Sequence, residues 1–141
     1  MKQLKIRSTI GVNLLELLMV ITIISVLAAI GYPNYIKFKY ETRRSDAKAM
    51  IMHIQSTIQN FLIANNTPVL QATDLTTLSF PAKSKSGYYN VSVSISSPNY
   101  TITATAIEDQ LNDTNCRNII MTNDGVTSSQ NSSAAASTGC W

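Results

Sequence analysis

From Leu14 to Ile30 the chain is apolar at almost every position, with Glu16, Thr22 and Ser25 as the polar exceptions. The run is about as long as a membrane-spanning helix, roughly 17 to 25 residues. Beyond Pro33 the pattern changes. Ala47, Met50, Ile51, Ile54, Ile58, Phe61 and Leu62 recur at spacings of three and four, which predicts a helix with a single apolar stripe. Asn65-Asn66-Thr67-Pro68 closes it, because a proline drives the residue before it out of the helical region. The two stretches together predict one helix from about Val12 to Ala64, bent near Pro33. Its first half is apolar on all sides and suits a membrane; its second half is amphipathic and suits packing on a sheet.

The period then becomes two. Tyr88 to Ile95 and Tyr100 to Ile107 alternate apolar and polar residues, and Ser96-Ser97-Pro98-Asn99 between them reads as a turn. Asn118 to Thr122 reads as a third strand, followed by a turn at Asn123-Asp124-Gly125. Alternation implies one buried and one wet face, hence an antiparallel meander. Residues 69–86 show no pattern and read as a connecting loop. Thr127 to Thr138, rich in Ser and Ala, would be floppy except that a disulfide between the two cysteines tethers it. The predicted class is α+β, a long N-terminal helix packed on a small antiparallel sheet.

Charge narrows the function classes. Of eleven Lys and Arg, Lys2, Lys5 and Arg7 precede Gly11, so eight remain beyond it against eight Asp and Glu. The sequence pI of about 9.0 therefore overstates the basicity of the rest, and no general nucleic-acid-binding surface follows from it. Positive charge is local: Lys37, Lys39, Arg43, Arg44 and Lys48, interspersed with Glu41 and Asp46, read as a solvated or subunit-contacting face. These cations outnumber those of the leader and oppose a simple positive-inside topology. The cysteines decide for an extracytoplasmic domain. Cys116 and Cys140 are the only two, and paired cysteines persist in oxidising compartments; the alternative is two unrelated buried thiols.

Chemistry is sparse. His53 is the only histidine, which excludes multi-histidine metal sites, and no catalytic constellation, glycine-rich phosphate loop or zinc spacing is present. No cofactor and no enzymatic activity are expected. The Asn-x-Ser/Thr triplets at Asn65, Asn90, Asn99, Asn112 and Asn131 are what chance gives in a chain this rich in Asn, Ser and Thr. Lys83, Lys85, Tyr88 and Tyr89 form a basic and aromatic cluster of the kind that grips a nucleic-acid backbone and stacks bases. A solvated loop before a strand explains the same residues more simply.

Glu16 carries the most information. A carboxylate in hydrocarbon costs on the order of 3 kcal/mol and marks a function that needs a partner. A secretory signal peptide also starts basic and turns apolar, and Val26-Leu27-Ala28-Ala29 offers small residues for its cleavage. An acid would be a pointless burden on such a segment. A basic leader, Gly11, and an acid five residues later opening an apolar helix together resemble the type IV pilin family. The resemblance is strong from Gly11 to about Tyr40 and looser beyond. Val12 and Asn13 stand where most members have Phe and Thr.

The resemblance implies the type IV pilin fold with a C-terminal disulfide loop between Cys116 and Cys140. It implies a leader, residues 1–11, cut by a prepilin peptidase between Gly11 and Val12, with Val12 then N-methylated. It places an apolar transmembrane and filament-core helix at 12–34, kinked at Gly31 and Pro33, and a globular domain at 35–141 outside the cytoplasm. Glu16 would pair with the N-terminal amine of a neighbouring subunit, a register device more than a source of stability. The implied partners are other pilin subunits, the peptidase, the inner-membrane assembly machinery and the membrane itself, with DNA as a weak further candidate. The implied function is a structural subunit of a type IV pilus, held in the bacterial inner membrane and then drawn into an extracellular filament. A minor pilin is the first reading; a major pilin, a DNA-uptake pilin of competence and a type II secretion pseudopilin are alternatives. Adhesion, twitching motility and DNA uptake are all roles such a fibre serves.

Overall fold

The computed structural model describes Gly11 and residues 13–141. Expectations that fall on Val12 and on the leader before Gly11 lie outside the described residues. The chain divides into two units between Lys37 and Phe38.

The first unit is the opening stretch of helix α1, Leu14–Ala64. Asn13 starts the helix: its Oδ1 accepts the Leu15 N–H at 3.4 Å and its carbonyl accepts the Leu17 N–H at 3.1 Å. This is the capping chemistry that favours Asn at such a position. Glu16 in the first turn lies at the positive end of the helix dipole. The two hydroxyls of the apolar run bond within the helix, Thr22 to the Met19 carbonyl and Ser25 to the Ile21 carbonyl, both at 2.7 Å. Neither needs water. Every apolar side chain from Leu14 to Ile30 is exposed, and one 18-residue window has a mean hydropathy of 2.5. Among the described residues this is the one helix long and apolar enough to cross a membrane. Helical structure continues through Gly31 and Pro33 without interruption.

In the second unit, α1 buries Ala47, Ile51, Ile54 and Ile58 completely, with Met50, Phe61 and Leu62 half-buried beside them. These are the seven residues of the predicted stripe. Strands β1 (Tyr89–Ser96), β2 (Asn99–Ala106), β3 (Asn118–Thr122) and β4 (Thr127–Gln130) form one antiparallel sheet in that order. Register decides which residues look inward. Val91 pairs with Ala104 and Ala104 with Ile119, while Val93 pairs with Ile102 and Ile102 with Met121. Those residues and Tyr89, Tyr100 and Ala106 form one core cluster with the helix stripe. The disulfide Cys116–Cys140 is formed, and both cysteines are buried. On a chain-entropy model, closing 24 residues of chain contributes about 3 kcal/mol.

One expectation is corrected and one is extended. Residues 69–86 are not all loop, because Ala72–Leu78 forms a short helix, α2. The Asp74 carboxylate accepts the Gln71 N–H at 2.8 Å and starts it, and Ser79, with a φ of 44°, ends it. Thr127 to Thr138 is tethered by the disulfide as expected, and it is ordered further, since β4 lies within it and hydrogen bonds fasten the remainder. The Ser129 hydroxyl donates to the Ser137 carbonyl at 2.9 Å, and the Ser137 N–H to the Ser129 carbonyl at 3.0 Å. Asn131 Oδ1 accepts the N–H groups of Ser133 and Ala135, and the Trp141 indole donates to the Ser128 carbonyl at 2.7 Å.

Ile54 lies at the middle of the buried stripe, so Ile54→Ala leaves a cavity costing about 2–5 kcal/mol. In a domain of roughly 100 residues that lowers the melting temperature by about 10 °C or more. Thermal unfolding followed by circular dichroism checks this, and an unchanged midpoint would remove the helix-on-sheet core as the main source of stability.

Candidate functional site

Burying Ala47 and the isoleucines turns the adjacent face of α1, residues 39 to 46, over one end of the sheet, where two acids meet three of its cations. Lys39 and Arg43, one turn apart, both reach Asp109: Lys39 Nζ lies 2.5 Å and Arg43 Nη1 3.0 Å from Oδ2. Asp109 belongs to a 3-10 turn, Glu108–Asn112, that links β2 to β3. The two cations hold its carboxyl at about 2, well below the usual carboxylate range, Lys39 contributing most. Both carboxylate and lysine are partly exposed, so this pairing resembles surface ion pairs, which solvent screens and which contribute little.

The second pairing is drier. Arg44 meets buried Asp113 with two parallel bonds, Nε to Oδ2 at 2.6 Å and Nη2 to Oδ1 at 2.7 Å. The Gln110 side-chain amide donates both to Asp113 Oδ2 at 3.0 Å and to the Tyr89 hydroxyl at 3.1 Å. Tyr89 in turn donates to the Cys116 carbonyl at 3.3 Å. Burial pushes the Tyr89 hydroxyl up to about 12. One connected network therefore joins helix, 3-10 turn, first strand and disulfide.

The segment before β1 carries the predicted basic and aromatic cluster. Residues 82–84 run antiparallel beside the start of β1: the Val91 N–H donates to the Ala82 carbonyl at 2.8 Å and the Ser84 N–H to the Tyr89 carbonyl at 2.9 Å. A turn closed by the Gly87 N–H on the Ser84 carbonyl at 2.9 Å follows. Gly87 has a φ of 80°, a conformation that favours glycine. Ser84 is buried while Lys83 and Lys85 on either side of it are exposed.

Not all four predicted contact residues can serve. Tyr89 is fully buried, so it is not available to stack a base. Tyr88 is half-buried, and one face of its ring is covered by the Arg43 guanidinium, 3.4 Å from the ring centroid. Lys83 and Lys85 keep an open surface and, among the described residues, have no acid within ion-pair distance. Of the cluster read as a solvated or subunit-contacting face, Lys39, Arg43 and Arg44 are engaged within the chain. Gly11 is exposed ahead of α1, and Glu16, Gly31 and Pro33 lie on exposed turns of the helix.

Sequence reasoning missed Asp46. Its Oδ2 accepts the Ser86 N–H at 2.7 Å. Burial alone would raise this carboxyl, but the hydrogen bonds from Ser86 and Ser84 and the charge of Lys85 outweigh it and hold it below the ordinary value. No local signal pointed to a contact made across 40 residues. Among the described residues no group of His, Cys, Asp and Glu is placed to hold a metal ion.

Comparison with known proteins adds two findings. A family model described as "Type IV minor pilin ComP, DNA uptake sequence receptor" matches residues 33–120, more than half of the chain. Over 51 residues, 36% of this chain, the sequence is 39% identical to the type IV major pilin protein PilA of Myxococcus xanthus (strain DK1622). That match spans 23% of the relative's length.

The Asp109 pairing predicts an acid limb. A carboxyl depressed in the fold contributes stability that is complete above its unfolded value of about 3.9 and is lost as pH falls toward the folded value of about 2. Thermal midpoints measured from pH 5 to pH 2 should fall less steeply in Asp109→Asn than in the wild type, and identical slopes would discount the pairing.

Proposed function

The chain belongs to the family of type IV minor pilin ComP, DNA uptake sequence receptor, and from that premise we propose that it is a minor pilin that brings DNA to the fibre. It is a structural subunit of the type IV pilus class, with a long helix on a four-stranded antiparallel sheet and a C-terminal disulfide. We assign it no catalytic step. The observation that carries the DNA reading is the family match over residues 33–120, a range that contains the exposed pair Lys83 and Lys85.

Processing follows the family pattern. A leader of residues 1–11 is removed after Gly11, Val12 is methylated, and the apolar stretch to about residue 34 holds the precursor in the inner membrane. The globular part lies outside the cytoplasm. On assembly, Glu16 pairs with a neighbour's N-terminal amine and sets how far each subunit slides; Gly31 and Pro33 supply the kink. The exposed apolar helix supports this reading, because such a surface is stable only in lipid or against other helices. Pilin subunits are the partners throughout, with peptidase and assembly machinery acting on the precursor. The PilA relative is a major pilin, which favours the major-pilin alternative, but over less than a quarter of its length.

Two lysines supply two phosphate contacts, so the salt slope of DNA binding is only about −2 and the affinity per copy is weak. Many copies on a filament compensate, since linked weak contacts gain avidity. Replacing both, Lys83→Ala with Lys85→Ala, should reduce DNA uptake by intact cells and leave the number of filaments unchanged. Undetectable gel-shift binding of duplex by the wild-type chain at low salt would sink the receptor reading and leave the structural one. Assembly has its own test. Glu16→Leu should be abundant in membranes and scarce in sheared filaments, and recovery in filaments at the wild-type level would contradict the pairing.

A further inference from the structure

We propose that Asp46 is a positioning residue for DNA contact, latching the turn that carries Lys85 to helix α1 through the Ser86 N–H; the inference rests on the DNA reading above. The backbone bonds that tie this segment to β1 end at Ser84. Beyond that point the turn closes on itself through the Gly87 N–H on the Ser84 carbonyl, and the next tie to the sheet is the Ile107 N–H on the Tyr88 carbonyl at 3.0 Å. Between those two ties, the Asp46 carboxylate, 2.7 Å from the Ser86 nitrogen, fastens the middle of the turn to helix α1. The anchor is firm, because the next residue, Ala47, is fully buried in the core. Arg43, one helical turn earlier, covers Tyr88 at the other end of the same turn. Both ends are therefore held by one face of α1.

Placing an acid beside a phosphate-binding lysine is otherwise hard to explain. Asp46 lies close enough to Lys85 for the lysine to stabilise its charge, and a carboxylate there repels the phosphate that Lys85 would contact. That repulsion acts through water and salt and is weak at such distances. Ordering a loose turn at the moment of binding costs more, since each residue fixed loses backbone freedom. A turn fixed beforehand avoids that loss, the usual gain from preorganisation. The latch outweighs the repulsion.

The two effects separate in two variants of the full chain in detergent, titrated with a labelled double-stranded oligonucleotide of mixed sequence. Asp46→Ala removes both acceptor and charge. It should weaken binding about tenfold and leave the salt slope near −2, because both lysines still reach phosphate. Asp46→Asn keeps an acceptor oxygen and loses the charge, so it should bind at least as tightly as the wild type. Tighter binding by both variants would mean that charge alone matters and would overturn the inference, as would binding unchanged in Asp46→Ala. Hydrogen exchange of the Ser86 amide supplies the structural readout: protected in the wild type and Asp46→Asn, unprotected in Asp46→Ala. Should the wild type bind no duplex at all, the DNA reading fails, and the latch is then judged on amide exchange alone.

Discussion

Ile51, Ile54 and Ile58 leave water only because the sheet offers Ile102, Ala104 and Ile119 as the other half of one core. Each fully buried side chain of this kind contributes about 1.5–3 kcal/mol, and neither helix nor sheet can retain its apolar face without the other. This burial also fixes the rotation of α1 about its axis. With the stripe turned inward, residues 39 to 46 have one available placement, over the edge where the 3-10 turn and the segment before β1 emerge. The ion pairs at Asp109 and Asp113 and the bond that the Ser86 N–H donates to Asp46 follow from that rotation.

Electrostatics then sorts the cations into two groups. Lys39, Arg43 and Arg44 meet acids on one short turn, where desolvation is partly offset by paired geometry. They fasten the β2–β3 connection to the helix and have little attraction left for an outside anion. Lys83 and Lys85 sit on a turn instead, without an ion-pair partner among the described residues. An overall charge balance close to neutral beyond Gly11 is therefore compatible with a small basic patch.

Local periodicity made most of the fold legible. The spacing of Ala47, Ile51, Ile54 and Ile58 marks the buried stripe, alternation marks β1 and β2 within a residue of their bounds, and the short run Asn118 to Thr122 marks β3. Helix α2 escaped because seven residues with Leu75 and Leu78 as their half-buried apolar positions are too short to show a period. Strand β4 escaped because Thr-Ser-Ser-Gln has no apolar residue to alternate; its inward residue, Ser129, is satisfied by hydrogen bonds in place of hydrophobic contact. The ion pairs span 66 to 70 residues of chain, beyond any local pattern. The misplacement of Tyr89 had a remedy in the sequence. Adjacent strand residues point to opposite faces, so the alternation that identified β1 already required one of Tyr88 and Tyr89 to turn inward.

The same rule bears on how much DNA one subunit can hold. With Tyr89 inside the core and Tyr88 under Arg43, the turn that carries Lys83 and Lys85 offers charge without a free aromatic platform of its own. Stacking contributes about 1–3 kcal/mol per base where it occurs, so its absence confines the proposed contact to phosphates. Phosphate contacts carry no sequence information directly. Discrimination between sequences would then have to come from groups elsewhere on the surface or from DNA shape, and grip from the number of copies a filament presents. A weak contact on a rigid turn suits that arrangement. Repeated along a fibre, fixed turns add their small attractions in register, whereas mobile ones would lose the gain to ordering at every copy.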